Sequence, residues 1–264
     1  MKFKSLFVIL LFLAVSSYSQ ENQDVDVEAL IDQIISVENQ QQEQINTLVF
    51  DAEYIEGEHN KDGFKEKVRF TKKIYVKYQS DIALFVEEYL EYYKDGELKS
   101  EKDLQKEAKK RKEEKKKRKA RDVSYSMIRP FYPEWRNMYE IKYMGIDTEE
   151  SEEYTCHHFK LTALEESDSL INADYYFDAE SFNLAKTTFS PAKLIKKTFF
   201  KLNELKMSIV YGPDENGYWF PRKFDVAGKG KAMFFIGVKF AGTEYYRNPI
   251  INSNIDDKFE VKDE

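Results

Sequence analysis

The residues able to do chemistry are few and come in short runs. Cys156-His157-His158 has the side-chain types that bind zinc or build a cysteine–histidine nucleophile. On a strand, neighbours face opposite sides, so Cys156 and His158 share one face and His157 takes the other. At most two ligands converge there, and His59 is the one histidine left elsewhere. The run therefore reads as three ordinary strand residues. Gly228-Lys229-Gly230-Lys231 has the glycines and lysine of a phosphate loop without its spacing, and reads as a turn. Glu149, Glu150, Glu152 and Glu153 crowd a polar stretch and read as solvated charge rather than an acid–base pair. G-x-S-x-G, H-E-x-x-H and dinucleotide fingerprints do not occur. The expectation is a non-enzyme, with no catalytic residue, metal or cofactor.

What remains to do chemistry is apolar. The chain holds 20 Phe, 18 Tyr and 2 Trp, and 42% of its residues are hydrophobic. Such rings either fill a core or line a cavity for a hydrophobic ligand. Strand parity selects Phe131, Trp135, Tyr175, Phe177, Trp219, Phe234, Ile236 and Phe240 as candidate lining. Ten Gly, six Pro and one Cys exclude collagen, low-complexity disorder and a disulfide scaffold.

The elements that must position these rings are mostly strands. Val27, Leu30, Ile31, Ile34 and Ile35 fall at helical spacing, so one amphipathic helix comes first, fading into the polar run Glu38–Gln44. Alternation then predicts strands over Leu48–Ile55 and Val68–Tyr78. Phe70, Lys72, Ile74, Val76 and Tyr78 share one face of the second. Ile82–Tyr93 fits strand or helix, and its aromatic content favours strand. Asp95-Gly96 is a hairpin turn signal. From Arg129 on, the pattern is a meander. Pro130–Trp135 forms a rigid aromatic corner, and Met138–Met144 and Tyr154–Leu164 are strand candidates. Leu170–Phe177 and Phe182–Phe189 flank a hairpin at Asp178–Ser181. Leu202–Tyr211 and Tyr218–Val226 flank a second turn, and Ala232–Thr243 closes the set. That last strand is apolar on both faces at its start, so a helix, a partner or a lipid must cover the second face.

Two stretches stand apart. Met1–Ser19 has Lys2 and Lys4, an apolar run Leu6–Val15 and small residues at Ser17 and Ser19, the pattern of a secretory signal peptide. The formal charge is −7, and losing Lys2 and Lys4 takes residues 20–264 to −9. Residues 101–122 hold twelve Lys or Arg against six Asp or Glu, a net +6, so the remainder carries −15. Leu104, Ala108 and Ala120 are the only apolar residues in that stretch. The expectation is a solvated, charge-laced helix or loop that docks no face on a core. Its function would be to meet an anionic membrane surface or an envelope partner protein, not nucleic acid, since it lacks interleaved aromatics for stacking.

The hairpin ADYYFDAESFNLAKTTFSP at 173–191, the strand NGYWFPRKFDV at 216–226 and the closing YYRNPIINSNIDDKFE at 245–260 complete an order of elements. An export leader, one amphipathic helix, a long antiparallel meander and a late aromatic hairpin resembles the periplasmic lipoprotein carriers LolA and LolB and the lipoprotein-sorting-like proteins. The resemblance covers roughly residues 125–260, and the charged stretch 101–122 departs from it. It implies an α+β, mostly antiparallel fold. A single domain over 20–264 would form an unclosed half-barrel covered by the N-terminal helix, with an apolar cavity for lipid or lipoprotein acyl chains. The leader pattern, the lone Cys156 and the lack of a further apolar span suggest a periplasmic place, free or peripheral to the outer membrane. The helix would shift to open and close the cavity. The same strands serve a second reading: a secreted barrel-like interaction or structural module at the cell envelope, its interior plugged by its own side chains.

Overall fold

The computed structural model describes residues 25–60, 63–79, 82–117, 127–148, 153–167, 169–194, 196–197, 200–232 and 236–259. The signal-peptide reading of residues 1–19 lies outside the described residues, as do parts of the 101–122 and 149–153 stretches. The order is α1 (Val27–Gln44), β1 (Thr47–Asn60), β2 (Gly63–Gln79), β3 (Ile82–Lys94), β4 (Glu97–Leu98) and α2 (Glu101–Lys117). Then come α3 (Pro133–Arg136), β5 (Tyr139–Asp147), β6 (Cys156–Ala163), β7 (Ile171–Asp178) and β8 (Leu184–Pro191). The chain ends with β9 (Lys196–Lys197), β10 (Phe200–Pro213), β11 (Trp219–Ala232) and β12 (Ile236–Ile251).

The described strands form one antiparallel sheet in the order β4-β3-β2-β1-β12-β11-β10-β8-β7-β6-β5, with β9 attached to β10. β1 pairs with β12, which brings the first and last strands together in mid-sheet. The path starts at β4 and stops at β5 without a pairing between them, so the barrel stays open. The sheet is the unclosed half-barrel that the resemblance implies, built from strands that alternation and turn spacing predict. Asp95 and Gly96 both take positive φ, at 52° and 81°, the backbone that a tight hairpin needs between β3 and β4.

The inner face of β5–β8 is packed solid. Ile31 and Ile34 of α1, together with Ile128 and Phe131, meet Phe159, Leu161, Ala173, Tyr175 and Phe177 of the sheet. Phe131 is fully buried and stands edge-on to Phe159, Tyr175 and Phe177, with ring centroids at 5.5, 5.1 and 5.5 Å. The aromatic corner clamps α1 over this core. Tyr132 donates its hydroxyl to Asn39 at 2.9 Å, and Arg136 pairs with Glu28. At the helix start, Asp26 accepts from the Ala29 N–H at 3.1 Å and satisfies one of the orphan donors of the first turn.

Four sequence expectations change. The polar run Glu38–Gln44 does not fade but stays helical to the end of α1. Gly228–Lys231 is no turn; it lies inside β11, paired on both sides. A Cβ on Gly228 would stand 2.3 Å from the ring tip of Phe240, so glycine there permits a close ring approach. Ala232–Thr243 is not one strand, because Ala232 ends β11 and β12 begins at Ile236. Finally, the charged stretch does dock. α2 is capped by Ser100, whose hydroxyl accepts from the Asp103 N–H and donates to the Asp103 carboxylate at 2.6 Å. Leu104, Glu107, Ala108 and Arg111, spaced along one helical face, are half-buried against the sheet. A single long cation on a helical face supplies the contact that the count of apolar residues missed.

Candidate functional site

The other half of the concave face is hollow. Between β1–β3, β11–β12 and the two long helices lies a cavity of about 1170 Å³, above the usual range of about 300–1,000 Å³ for ligand pockets. Its wall alternates inward from consecutive strands: Leu48 and Phe50 on β1, Ile74 and Val76 on β2, and Phe220 on β11. Register explains the convergence, since Leu48 lies opposite Val76 and Phe50 opposite Ile74. Phe50 meets Phe220 and Tyr246 edge-on at 5.9 and 5.6 Å, so the rings pack side by side as a wall.

The cover is polar where the wall is apolar. Glu38, Gln41 and Gln42 of α1 and Ala108, Lys109 and Lys112 of α2 face the hollow. Gln41 ties α1 to the wall. Its amide donates to the Trp219 carbonyl at 2.9 Å, and its carbonyl accepts from the Trp219 N–H at 2.8 Å.

One end of the cavity is charged. Lys72 is 6% exposed, and its ammonium stands 2.5 Å from both Glu87 and Glu244. Ala52 lies opposite Lys72 on one side and Tyr246 on the other, and its small side chain lets the cation reach across β1 to β12. Burial works against the Lys72 charge, but Glu244 and then Glu87 outweigh it and raise its pKa. Tyr89 donates to Glu87 at 3.1 Å and Tyr246 to Glu244 at 2.9 Å. Burial first, and then the neighbouring carboxylates, raise the pKa of both phenols.

α2 seats beside that cluster through Arg111. The guanidinium pairs with Glu56 at 3.3 Å and lies over the Phe70 and Tyr54 rings at 4.5 and 5.5 Å. Tyr54 donates to Glu56 at 3.2 Å. Burial, followed by the Glu56 charge, pushes the Tyr54 hydroxyl up to about 12. Burial opposes the charge of Arg111, and Glu56 outweighs it.

The sequence-selected rings divide between the halves. Trp219 lines the cavity. Phe131, Tyr175 and Phe177 do not face it; they are fully buried at the centre of the packed half, because α1 and the aromatic corner close over them. Trp135 is half-buried under the Arg129 guanidinium, 3.6 Å from its ring centroid. Phe240 packs on Gly228 and is not among the lining residues. Ile236 opens β12, and Phe234 lies outside the described residues. Sequence reasoning missed Lys72, Glu87 and Glu244. The signal for the first was present: a lysine between Phe70, Ile74 and Val76 on one face must find buried partners. His157 and His158 sit elsewhere, on β6. His157 bonds the Tyr143 hydroxyl at 3.0 Å, and His158 bonds Asp174 at 2.9 Å. Cys156 is buried.

No family model matches the chain, and no curated protein matches it. Among solved structures, it is similar to a DUF1329 family protein from Desulfovibrio piger, with 10% identity over 89% of this chain and 97% of that one and a TM-score of 0.44. It is also similar to an outer membrane lipoprotein-sorting protein domain from Vibrio parahaemolyticus, with 8% identity over 86% and 97% and a TM-score of 0.43. A LolA superfamily protein from Nitrosomonas europaea gives 8% identity over the same shares and a TM-score of 0.36. At those values, the half-barrel described above rests on the strand pairing of this chain itself.

Proposed function

We propose that this protein is an extracytoplasmic carrier or binding protein for lipid or lipoprotein acyl chains. The observation that supports the reading is the apolar hollow of about 1170 Å³ between the sheet and the helices. An acyl chain entering it leaves water at about 0.8 kcal/mol per buried methylene. The action is physical rather than catalytic: uptake, shielding and release. The leader pattern of residues 1–19 supports a place outside the cytoplasm, in the periplasm or against the outer membrane. The exposed lysines of α2 give it a face for anionic membrane surfaces, where each basic residue contributes about 1 kcal/mol.

Native mass spectrometry of the exported protein tests this. Lipid should accompany the wild type. Phe85 lines the cavity yet is 60% exposed, so Phe85→Asp leaves folding intact and should reduce the bound lipid. Phe50→Asp, at the centre of the wall, should abolish it. A wild type that carries no lipid and takes up no fluorescent fatty acid overturns the reading.

A further inference from the structure

We propose that the outer edge of β5 is a dimer interface, at which a second copy of this chain lays its own β5 antiparallel to the first. No β5 residue lines the cavity, so the pairing stands whether or not the hollow carries a lipid. The sheet ends at β5, and among the described residues no strand pairs with its outer edge. Its neighbours fix which way its backbone faces. The Leu164 N–H donates to the Met138 carbonyl at 3.0 Å. Ala163, opposite Tyr139, turns its N–H the other way, to the Asn172 side chain at 2.9 Å. Peptide groups alternate along an antiparallel strand. Those of Met138, Glu140 and Lys142 therefore serve β6, and those of Tyr139, Ile141 and Tyr143 point out of the sheet. An outward row of this kind is a template for another strand.

The side chains of the edge say which strand fits. Residues 138–144 are Met-Tyr-Glu-Ile-Lys-Tyr-Met, the same in both directions except that Glu140 and Lys142 exchange. An antiparallel pair centred on Ile141 sets Ile141 against its own copy, Tyr139 against Tyr143 and Met138 against Met144. It also sets Glu140 against Lys142 twice, once on each side of the two-fold axis. In that register the outward N–H and C=O groups of the two strands close about six hydrogen bonds. Slipping the copy by two residues would set Glu140 against Glu140 or Lys142 against Lys142, so the charges select the register. Both side chains stand exposed, 3.0 Å apart along their own strand, and can exchange partners without leaving water. Met138 and Met144 are exposed beside them. A bulge follows, where the register with β6 shifts between Tyr143 and Gly145 and Gly145 takes a φ of 104°. The bulge bends the strand and ends the ladder, so the pairing closes at two chains.

Sedimentation velocity of the exported protein over a concentration series tests the interface. The wild type should dimerise. Glu140→Lys and Lys142→Glu each set like charges opposite one another in two places, and each should weaken self-association by about tenfold. Both positions are exposed, so circular dichroism of the variants should match the wild type. An equimolar mixture of the two variants should recover the wild-type affinity, because every lysine then faces a glutamate across the pair. A wild type that stays monomeric at about 100 μM overturns the proposal. So does a dimer that keeps its full strength in both variants, or a mixture that associates no better than its components. Open-ended growth into larger oligomers, in place of a dimer, overturns the two-fold pairing as well.

Discussion

One sheet builds two interiors, one plugged and one empty. Over β5–β8, α1 offers Ile31 and Ile34, and the aromatic corner drives Phe131 into the middle of Phe159, Tyr175 and Phe177. Over β1–β3 and β11–β12, the strands present rings and branched chains of the same kind, but the cover is Glu38, Gln41 and Gln42 of α1 and the lysines of α2. The sheet alternates equally well in both places. The difference lies in the reach and polarity of what lies across from it. A cover of glutamines and lysines keeps its heads in water and cannot fill a greasy concavity, so a hollow persists. α1 spans both regimes, apolar in its first half and polar in its second, and this change of composition along one helix marks the border between core and cavity.

Paired truncations give the largest effect. Phe131→Ala should destabilise the protein by about 3–5 kcal/mol, because the ring is enclosed on all sides and its loss leaves a void. Phe50→Ala should cost less, about 1.5–3 kcal/mol, since its ring already borders open space and adds only its own transfer from water. Urea denaturation of both variants measures the gap. Equal losses would mean that the two interiors are packed alike.

Gln41 sharpens the comparison at the border. Gln41→Ala removes both hydrogen bonds to the Trp219 backbone and should cost about 1–2 kcal/mol. Gln41→Glu keeps the acceptor for the Trp219 N–H and loses the donor, so it should fall between the two. Identical urea midpoints for all three proteins would show that α1 is held by its apolar half alone.

The polar end of the hollow half sets an alkaline pH response of its own. The Tyr54 phenol is raised from its ordinary 10 to about 12 by burial and then by the Glu56 charge. A raised folded-state value means that this contribution is whole below pH 10 and is lost as pH climbs through about 12. Lys72, raised by Glu244 and Glu87 against burial, acts in the same direction above its ordinary 10.5. Thermal melting should therefore fall steeply above pH 10, and Tyr54→Phe should flatten part of the fall. A wild-type melting temperature that holds steady from pH 9 to 12 would contradict the buried network.

Much of the sheet was legible because alternation is local. Val68–Tyr78 showed its inner face, and the hairpin at Asp178–Ser181 showed its turn. The division between core and cavity was not legible. Tyr175, Phe177 and Trp219 have the same strand signature, and only the cover decides which are plugged over. The charged cluster was half-readable: Lys72 stands out among apolar neighbours, but Glu244 lies far along the chain and reaches it only through the pairing of β1 with both β2 and β12. Arg111 looks like every other cation in its run. Its role follows from sharing a helical face with Leu104 and Ala108, a phase that a count of charges does not see.

The smallest effect on global stability comes from that arginine, and it bears on how firmly the hollow half is closed. The Arg111–Glu56 pair is half-exposed, at 23% and 42% of the side chains, so it is screened by solvent and contributes no more than about 1 kcal/mol. Its ring contacts with Phe70 and Tyr54 add a similar amount at an exposed site. Arg111→Ala should therefore leave the urea midpoint nearly unchanged. Locally the consequence is larger, because the other groups on this face of α2 are one leucine, one alanine and Glu107. Hydrogen exchange of the α2 amides should quicken several-fold in the variant, while those of β7, under the packed cover, stay protected. High salt should carry the wild type part of the way toward the variant, since screening weakens the ion pair and leaves the ring contacts. Unchanged α2 exchange in Arg111→Ala would show that the helix is seated by something other than this residue, and that the cover of the hollow is as fixed as that of the core.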